Sequence, residues 1–193
     1  MMWNNISGGA CSSAMALLFP KIPCVIVNTG GNYPWAWKNV HKLQKKRIKV
    51  TVISSFQEGY PTYFDYIWKT NRIPFYRGCC YRGKELHLNK FYNTLHGKQI
   101  VNVGFCKGEE RRAAFLKKQD TKHRIFNFPV LEYTREQLEK VCKTNGLEVK
   151  KTGCWFCPKQ PNPPEWAVKA IISPEGQAER ARVRGLLKEE KRY

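Results

Sequence analysis

No stretch of this sequence approaches the ~18 consecutive apolar residues of a membrane-spanning helix, so no membrane partner is expected. The start, MMWNNISGGACSS, lacks the basic opening and apolar block of a secretion signal, and a cytoplasmic location is expected. Internal repeats and low-complexity tracts are missing as well. Acidic residues are scarce: 15 Asp and Glu stand against 34 Lys and Arg, a net charge of +19. That excess is extreme for a small soluble enzyme. It points to a polyanion, nucleic acid before an anionic membrane surface, with a plain solubility surface as the alternative.

What is present is a globular composition. Hydrophobic residues are 42% and aromatics 13% of 193 residues, enough for a core and against a disordered chain. The length suits one domain with a small appendage. Eight cysteines occur: Cys11, Cys24, Cys79, Cys80, Cys106, Cys142, Cys154 and Cys157. Without an export signal, metal or catalytic roles outrank a disulfide framework.

Short β-forming runs alternate with helical stretches. Strands are expected at 3–6, 24–27, 50–53, 100–103 and 125–128, and helices at 12–19, 35–46, 111–118 and 134–144. Thr134 can cap the last of these, with Gln137 three residues on and Gly146 beyond its end. The alternation predicts an α/β fold with a mainly parallel sheet flanked by helices. At Gly153 the texture changes to GCWFCPKQPNPPEW, a Pro- and Cys-rich loop, before helices expected at 165–172 and 176–190. A division follows: 1–152 as the nucleotide-binding α/β domain, and 153–193 as a CxxC loop with a basic helical extension packed on it. Residues 38–49 carry six Lys and Arg and no acid, and the last helix is also strongly basic. Together they read as a footprint for tRNA or DNA.

Five segments carry chemistry. Ser7-Gly8-Gly9-Ala10-Cys11-Ser12-Ser13 lies between a strand and a helix. Its glycines allow close backbone approach, the helix start offers N–H groups to phosphate, and Ser7, Ser12 and Ser13 add hydroxyls. Asn28-Thr29-Gly30 ends the second strand, where α/β sheets bind nucleotides, though it also suits a plain strand-to-helix turn. Arg77-Gly78-Cys79-Cys80 and Cys154-Trp-Phe-Cys157 supply two thiol pairs, with 73 residues between Cys80 and Cys154. Two such pairs can complete four ligands for a [4Fe–4S] cluster or for Zn²⁺. Gly104-Phe-Cys106-Lys107-Gly108-Glu109-Glu110-Arg111-Arg112 follows the fourth strand. There Lys107 and Arg112 would lower the thiol pKa of Cys106, while an inert buried Cys106 is the competing reading.

The SGGxxS spacing resembles the pyrophosphate loop of the PP-loop family, which includes ATP pyrophosphatases, tRNA thiolation enzymes and PAPS/APS reductases. Its usual form is SGGKDS; Ala10 and Cys11 replace Lys and Asp here. The Cys79–Cys80 pair with Lys84, the Gly104–Arg112 segment and the Phe128-Pro129-Val130-Leu131-Glu132-Tyr133-Thr134 run resemble PAPS-reductase-like proteins of the iron–sulfur type. The resemblance runs from about Ile6 to Trp166. It implies an adenine nucleotide α-hydrolase-like (HUP/PP-loop) fold. It places nucleotide on Ser7, Gly8, Gly9, Ser12, Ser13, Asn28, Thr29, Gly30, Arg77, Lys84, Gly104, Lys107 and Arg112. A cluster would be held by Cys79, Cys80, Cys154 and Cys157, and ATP would carry Mg²⁺.

Sulfonucleotide reductases use a cysteine near the C-terminus as nucleophile, and no cysteine follows Cys157 here. The leading expectation is therefore adenylation and sulfur transfer onto nucleic acid, with Cys106 and Glu109 as catalytic candidates. A PAPS or APS reductase with Cys11 or Cys106 as relocated nucleophile is the alternative. A non-catalytic nucleic-acid-binding protein on the same scaffold is the third. A homodimer and a thiol or sulfur donor protein complete the expected partners.

Overall fold

A computed structural model describes residues 1–56, 59–63, 65–66, 80–150 and 152–154. Its strands are β1 (Met2–Asn5), β2 (Cys24–Asn28), β3 (Val50–Ser54), β4 (Gln99–Val103) and β5 (Arg124–Asn127). Its helices are α1 (Ala10–Leu18), α2 (Pro34–Lys45), α3 (Leu86–Asn93), α4 (Glu110–Lys117) and α5 (Arg135–Thr144). All five expected strands and all four expected helices up to residue 144 form, within two residues of the expected bounds. The helices expected at 165–172 and 176–190 lie outside the described residues. Helix α1 starts two residues early because Gly9, in an extended conformation, is its N-cap. Helix α3 and the π-helical turn before it, Tyr81–Glu85, were not expected.

The sheet is parallel, in the order β3-β2-β1-β4-β5. The first three strands step outward in one direction, and the chain then returns to the other side of β1. Between β1 and β4 the order reverses, and both strands point their carboxyl ends the same way there. In open α/β sheets that is where ligands bind. No helix among the described residues is long and apolar enough to cross a membrane.

The chain divides into two compact units. One comprises Met1–Val27, Tyr33–Ile53 and Asn89–Thr152; the other comprises Asn28–Asn32, Ser54–Leu88 and Gly153–Tyr193. In the first unit the β2 run Cys24–Val27 is wholly buried, as a central parallel strand must be. Helix α1 presents Ala10 and Ala14, small residues that let α5 approach with Leu138 and Cys142 in the same core cluster. The Cys142 thiol donates to the Ala10 carbonyl at 3.3 Å. Helix α2 opens on Pro34, whose missing N–H costs nothing at a first position. It buries Ala36, Val40 and Leu43 on one face.

Two polar devices hold this unit in register. Asn4, Asn102 and Asn127 lie opposite one another on β1, β4 and β5. The Asn127 amide donates to Asn102 at 2.8 Å, and the Asn102 amide donates to Asn4 at 2.9 Å. The Asn4 amide in turn faces the carbonyls of Phe19 and Ile22. The second device is the α5 capping box: the Thr134 hydroxyl accepts from the Gln137 N–H, and the Gln137 side chain accepts from the Thr134 N–H. Thr134→Ala is expected to cost about 1 kcal/mol of stability. Urea unfolding followed by circular dichroism measures it; an unchanged midpoint would mean that the box contributes nothing.

Candidate nucleotide site

The loop leaving β1 is shaped by its backbone. Gly8 has φ +76, and a Cβ there would lie 2.6–2.8 Å from Ala36 atoms, so both conformation and space demand glycine. The Gly8 carbonyl accepts from the buried Asn39 amide at 2.9 Å. Asn39 also donates to the Glu148 carbonyl and accepts from the Glu148 N–H, each at 2.8 Å. It thereby ties α2 and the segment after α5 to the loop. Ser12 works inside the loop: its hydroxyl accepts from the Ser7 N–H and donates to the Gly9 carbonyl, both at 3.1 Å. The exposed Ser7 hydroxyl lies 3.2 Å from that of Ser12 and 3.3 Å from that of Thr152. The Ser13 hydroxyl is buried without a hydrogen-bond partner among the described residues.

Among the described residues, no side chain caps α1. Its first-turn N–H groups therefore keep the donor capacity and positive dipole end that suit an anion. The loop leaving β4 closes on this turn. A Cβ on Gly104 would lie 2.8 Å from both the N and the Cα of Ser12, so the approach is backbone against backbone.

Beyond Gly104 the loop folds on Glu109. The Cys106 N–H donates to Glu109 Oε2 at 3.1 Å, and Arg112 holds Oε1 in an ion pair. The Arg112 guanidinium also stacks over the Phe105 ring at 4.6 Å. Arg112 is thus already engaged, whereas the Lys107 side chain is exposed. Burial, then the Cys11 thiol and the Glu109 carboxylate, push the Cys106 thiol up to about 12. That is opposite in direction to the lowering expected from Lys107 and Arg112. The carboxylate lies against the thiol, and Arg112 is turned to the carboxylate's far oxygen. Burial likewise raises the Cys11 thiol.

The second unit holds the remaining candidates. The Asn28 side chain accepts from the Gly30 N–H at 3.0 Å, and Asn32 Oδ1 accepts from both the N–H and the hydroxyl of Thr29. These bonds form a tight turn, Gly30 having φ +76. Cys154 pairs with Asn32 through a β-bridge, and its thiol lies 3.4 Å from the Thr29 hydroxyl. Lys84 sits half-buried in the π-helical turn, whose Gly83 packs against the Tyr63 ring. Cys80 is exposed, and Cys154 carries a free thiol. Arg77, Cys79 and Cys157 lie outside the described residues.

The architecture has a counterpart among solved structures. The phosphoadenylyl-sulfate (PAPS) reductase of Candida auris, in a phosphate complex, superposes with a TM-score of 0.62 at 13% identity. The match covers 81% of this chain and 82% of that one. The fold is of the PAPS-reductase type. No protein-family description and no curated protein matches the sequence. Gly8, Gly9, Ser12 and Gly104 lie just beyond the carboxyl ends of β1 and β4.

Two participants escaped the sequence reading, and a third was named there without its neighbour. Asn39 left a faint signal: a polar residue within the apolar stripe Ala36, Val40 and Leu43. Thr152 left none. Cys11 was visible as a departure from the usual loop, but its approach to Cys106 needs β1 and β4 to be neighbours.

Proposed function

We propose that the chain is an adenine-nucleotide-dependent enzyme that seats the phosphates of ATP, with Mg²⁺, at the amino end of α1. Its reaction would be transfer of an adenylyl group to an oxygen of tRNA or DNA, preparing that position for sulfur. The uncapped start of α1, set where the sheet order reverses and pressed by Gly104, is the observation that carries this reading. The orphaned Ser13 hydroxyl and the glycine-lined approach fit an anionic group there. First-turn amides would bind phosphate, Ser7 would add a hydroxyl, and exposed Lys107 would offset charge. Thr29 and Cys154 lie together in the second unit, where Cys154 would be one ligand of a metal group. A [4Fe–4S] cluster or Zn²⁺ on Cys79, Cys80, Cys154 and Cys157 would supply the sulfur or electron chemistry.

A second reading, reduction of a sulfonucleotide, is favoured by the likeness to a PAPS reductase. One set of assays separates the two. Calorimetry compares ATP with PAPS, and product assays compare nucleic-acid-dependent pyrophosphate release from ATP with thiol-dependent sulfite release from PAPS. Pyrophosphate release that requires added tRNA or DNA is the expected result. Sulfite release without it would install the second reading. Failure of both nucleotides to bind would remove both.

A further inference from the structure

We propose that Cys11, Cys106 and Glu109 form a binding site for a thiophilic divalent cation, Zn²⁺ foremost, with one coordination position left open. The two sulfurs and a Glu109 carboxylate oxygen all lie within 4.8 Å of one another. The Cys106 sulfur is 3.5 Å from Glu109 Oε2. Tetrahedral zinc with bonds of about 2.0–2.3 Å spaces its donors roughly 3.5–3.8 Å apart. One edge of the triangle already has that length, and the other two, each within 4.8 Å, reach it by a contraction of about 1 Å at most.

The carboxylate is also aimed. Arg112 holds Oε1, and the Cys106 N–H fixes Oε2, the oxygen beside the sulfur. Such outer contacts orient a ligand and tune its affinity. The cysteines are 95 positions apart in sequence, and both are free. They meet because the Gly104 backbone rests on the first turn of α1, which carries Cys11. Cys106 is buried, while Cys11 and Glu109 are half-buried, so the site is enclosed yet reachable. Two thiolates and one carboxylate would outweigh a divalent cation by one charge. Arg112 on Glu109, and Arg135, whose field reaches both cysteines, supply positive charge around them. On binding, each thiol gives up its proton to solvent as its sulfur bonds the metal.

Thiolate donors select zinc over Mg²⁺. Three protein ligands with a free fourth position is the arrangement of a reactive zinc rather than a structural one. That position would take water or an anionic oxygen. The site is independent of the four-cysteine set, and it stands whether or not ATP is the nucleotide.

The test uses the full chain, stripped with chelator under argon with a non-thiol reductant, and Zn²⁺ alone as probe. Alkylation of Cys11 by N-ethylmaleimide is followed by peptide mass spectrometry. Bound Zn²⁺ is expected to slow it by about tenfold or more, since the reactive free thiolate is withdrawn. Cys11→Ser is expected to bind one metal equivalent fewer than the wild type, whatever the other cysteines hold. Glu109→Gln is expected to weaken that equivalent by roughly 10–100-fold while the chain still folds. The protection assay needs no variant, so misfolding cannot mask it. Cys11 alkylation indifferent to Zn²⁺, or equal metal content in Cys11→Ser and wild type, overturns the site.

Discussion

Gly104→Ala is expected to weaken ATP binding by roughly 10- to 100-fold, because overpacking of this kind costs about 1–3 kcal/mol and each 1.4 kcal/mol is a decade of affinity. The added methyl would meet the N and Cα of Ser12 at 2.8 Å. Neither atom belongs to a side chain that can swing aside. The strain is relieved only by moving the first turn of α1 away from the end of β4, which tilts the amides that would receive phosphate. Calorimetry with ATP measures the loss. Thr134→Ala is the control: it removes a side chain that bonds Gln137 in the cap of α5, and its ATP affinity should equal that of the wild type. Wild-type affinity in Gly104→Ala would take the start of α1 out of the nucleotide site.

On the proposed reading, binding of tRNA or DNA is expected to fall steeply with salt, and two cations of residues 38–49 have intramolecular partners. Lys38 pairs with Glu148 at 3.7 Å, and the Lys42 ammonium donates to the Gly146 carbonyl. Lys45, Lys46, Arg47 and Lys49 remain exposed at the end of α2 and just beyond it. If each of the four meets a phosphate, log K against log salt should fall with a slope of roughly −3 to −4 for duplex. That is about a hundredfold between 50 and 200 mM salt. Reversing the four charges to Glu should abolish this share of the slope. The second expected basic segment, 176–192, lies outside the described residues, and Arg180, Arg182 and Arg184 changed to Glu test it separately. A shallow slope that ignores both sets would favour the sulfonucleotide reading.

The elements of the first unit were legible because each carries a local signal. CVIV can only be a buried strand, and Thr134 with Gln137 announces a helix start. The loop of β1 was legible for the same reason: Ser7 to Ser13 concentrates glycine and hydroxyls between a strand and a helix. What could not be read depends on who stands beside whom. Helix α3 continues a π-helical turn that has no side-chain cap bond of its own and whose Gly83 lies against the Tyr63 ring. The raised Cys106 thiol was hidden because the lysine and arginines near it in sequence suggest the opposite sign. Only the folded loop shows the carboxylate against the sulfur. Cys11 meets Cys106, and Asn39 meets Gly8, through adjacencies that strand order and helix docking create.

The asparagine row across β1, β4 and β5 has a consequence for descent. Each amide depends on its neighbour: Asn127 donates to Asn102, Asn102 donates to Asn4, and Asn4 faces the carbonyls after α1. Losing one member strands a buried polar atom on another, which costs about 1–3 kcal/mol, whereas exchanging the buried members together for apolar residues of similar shape can be nearly neutral. Asn4 and Asn102 should therefore be inherited as a pair. Homologous chains should show both asparagines or neither, and Asn127, at the solvent-facing end of the row, should vary more freely.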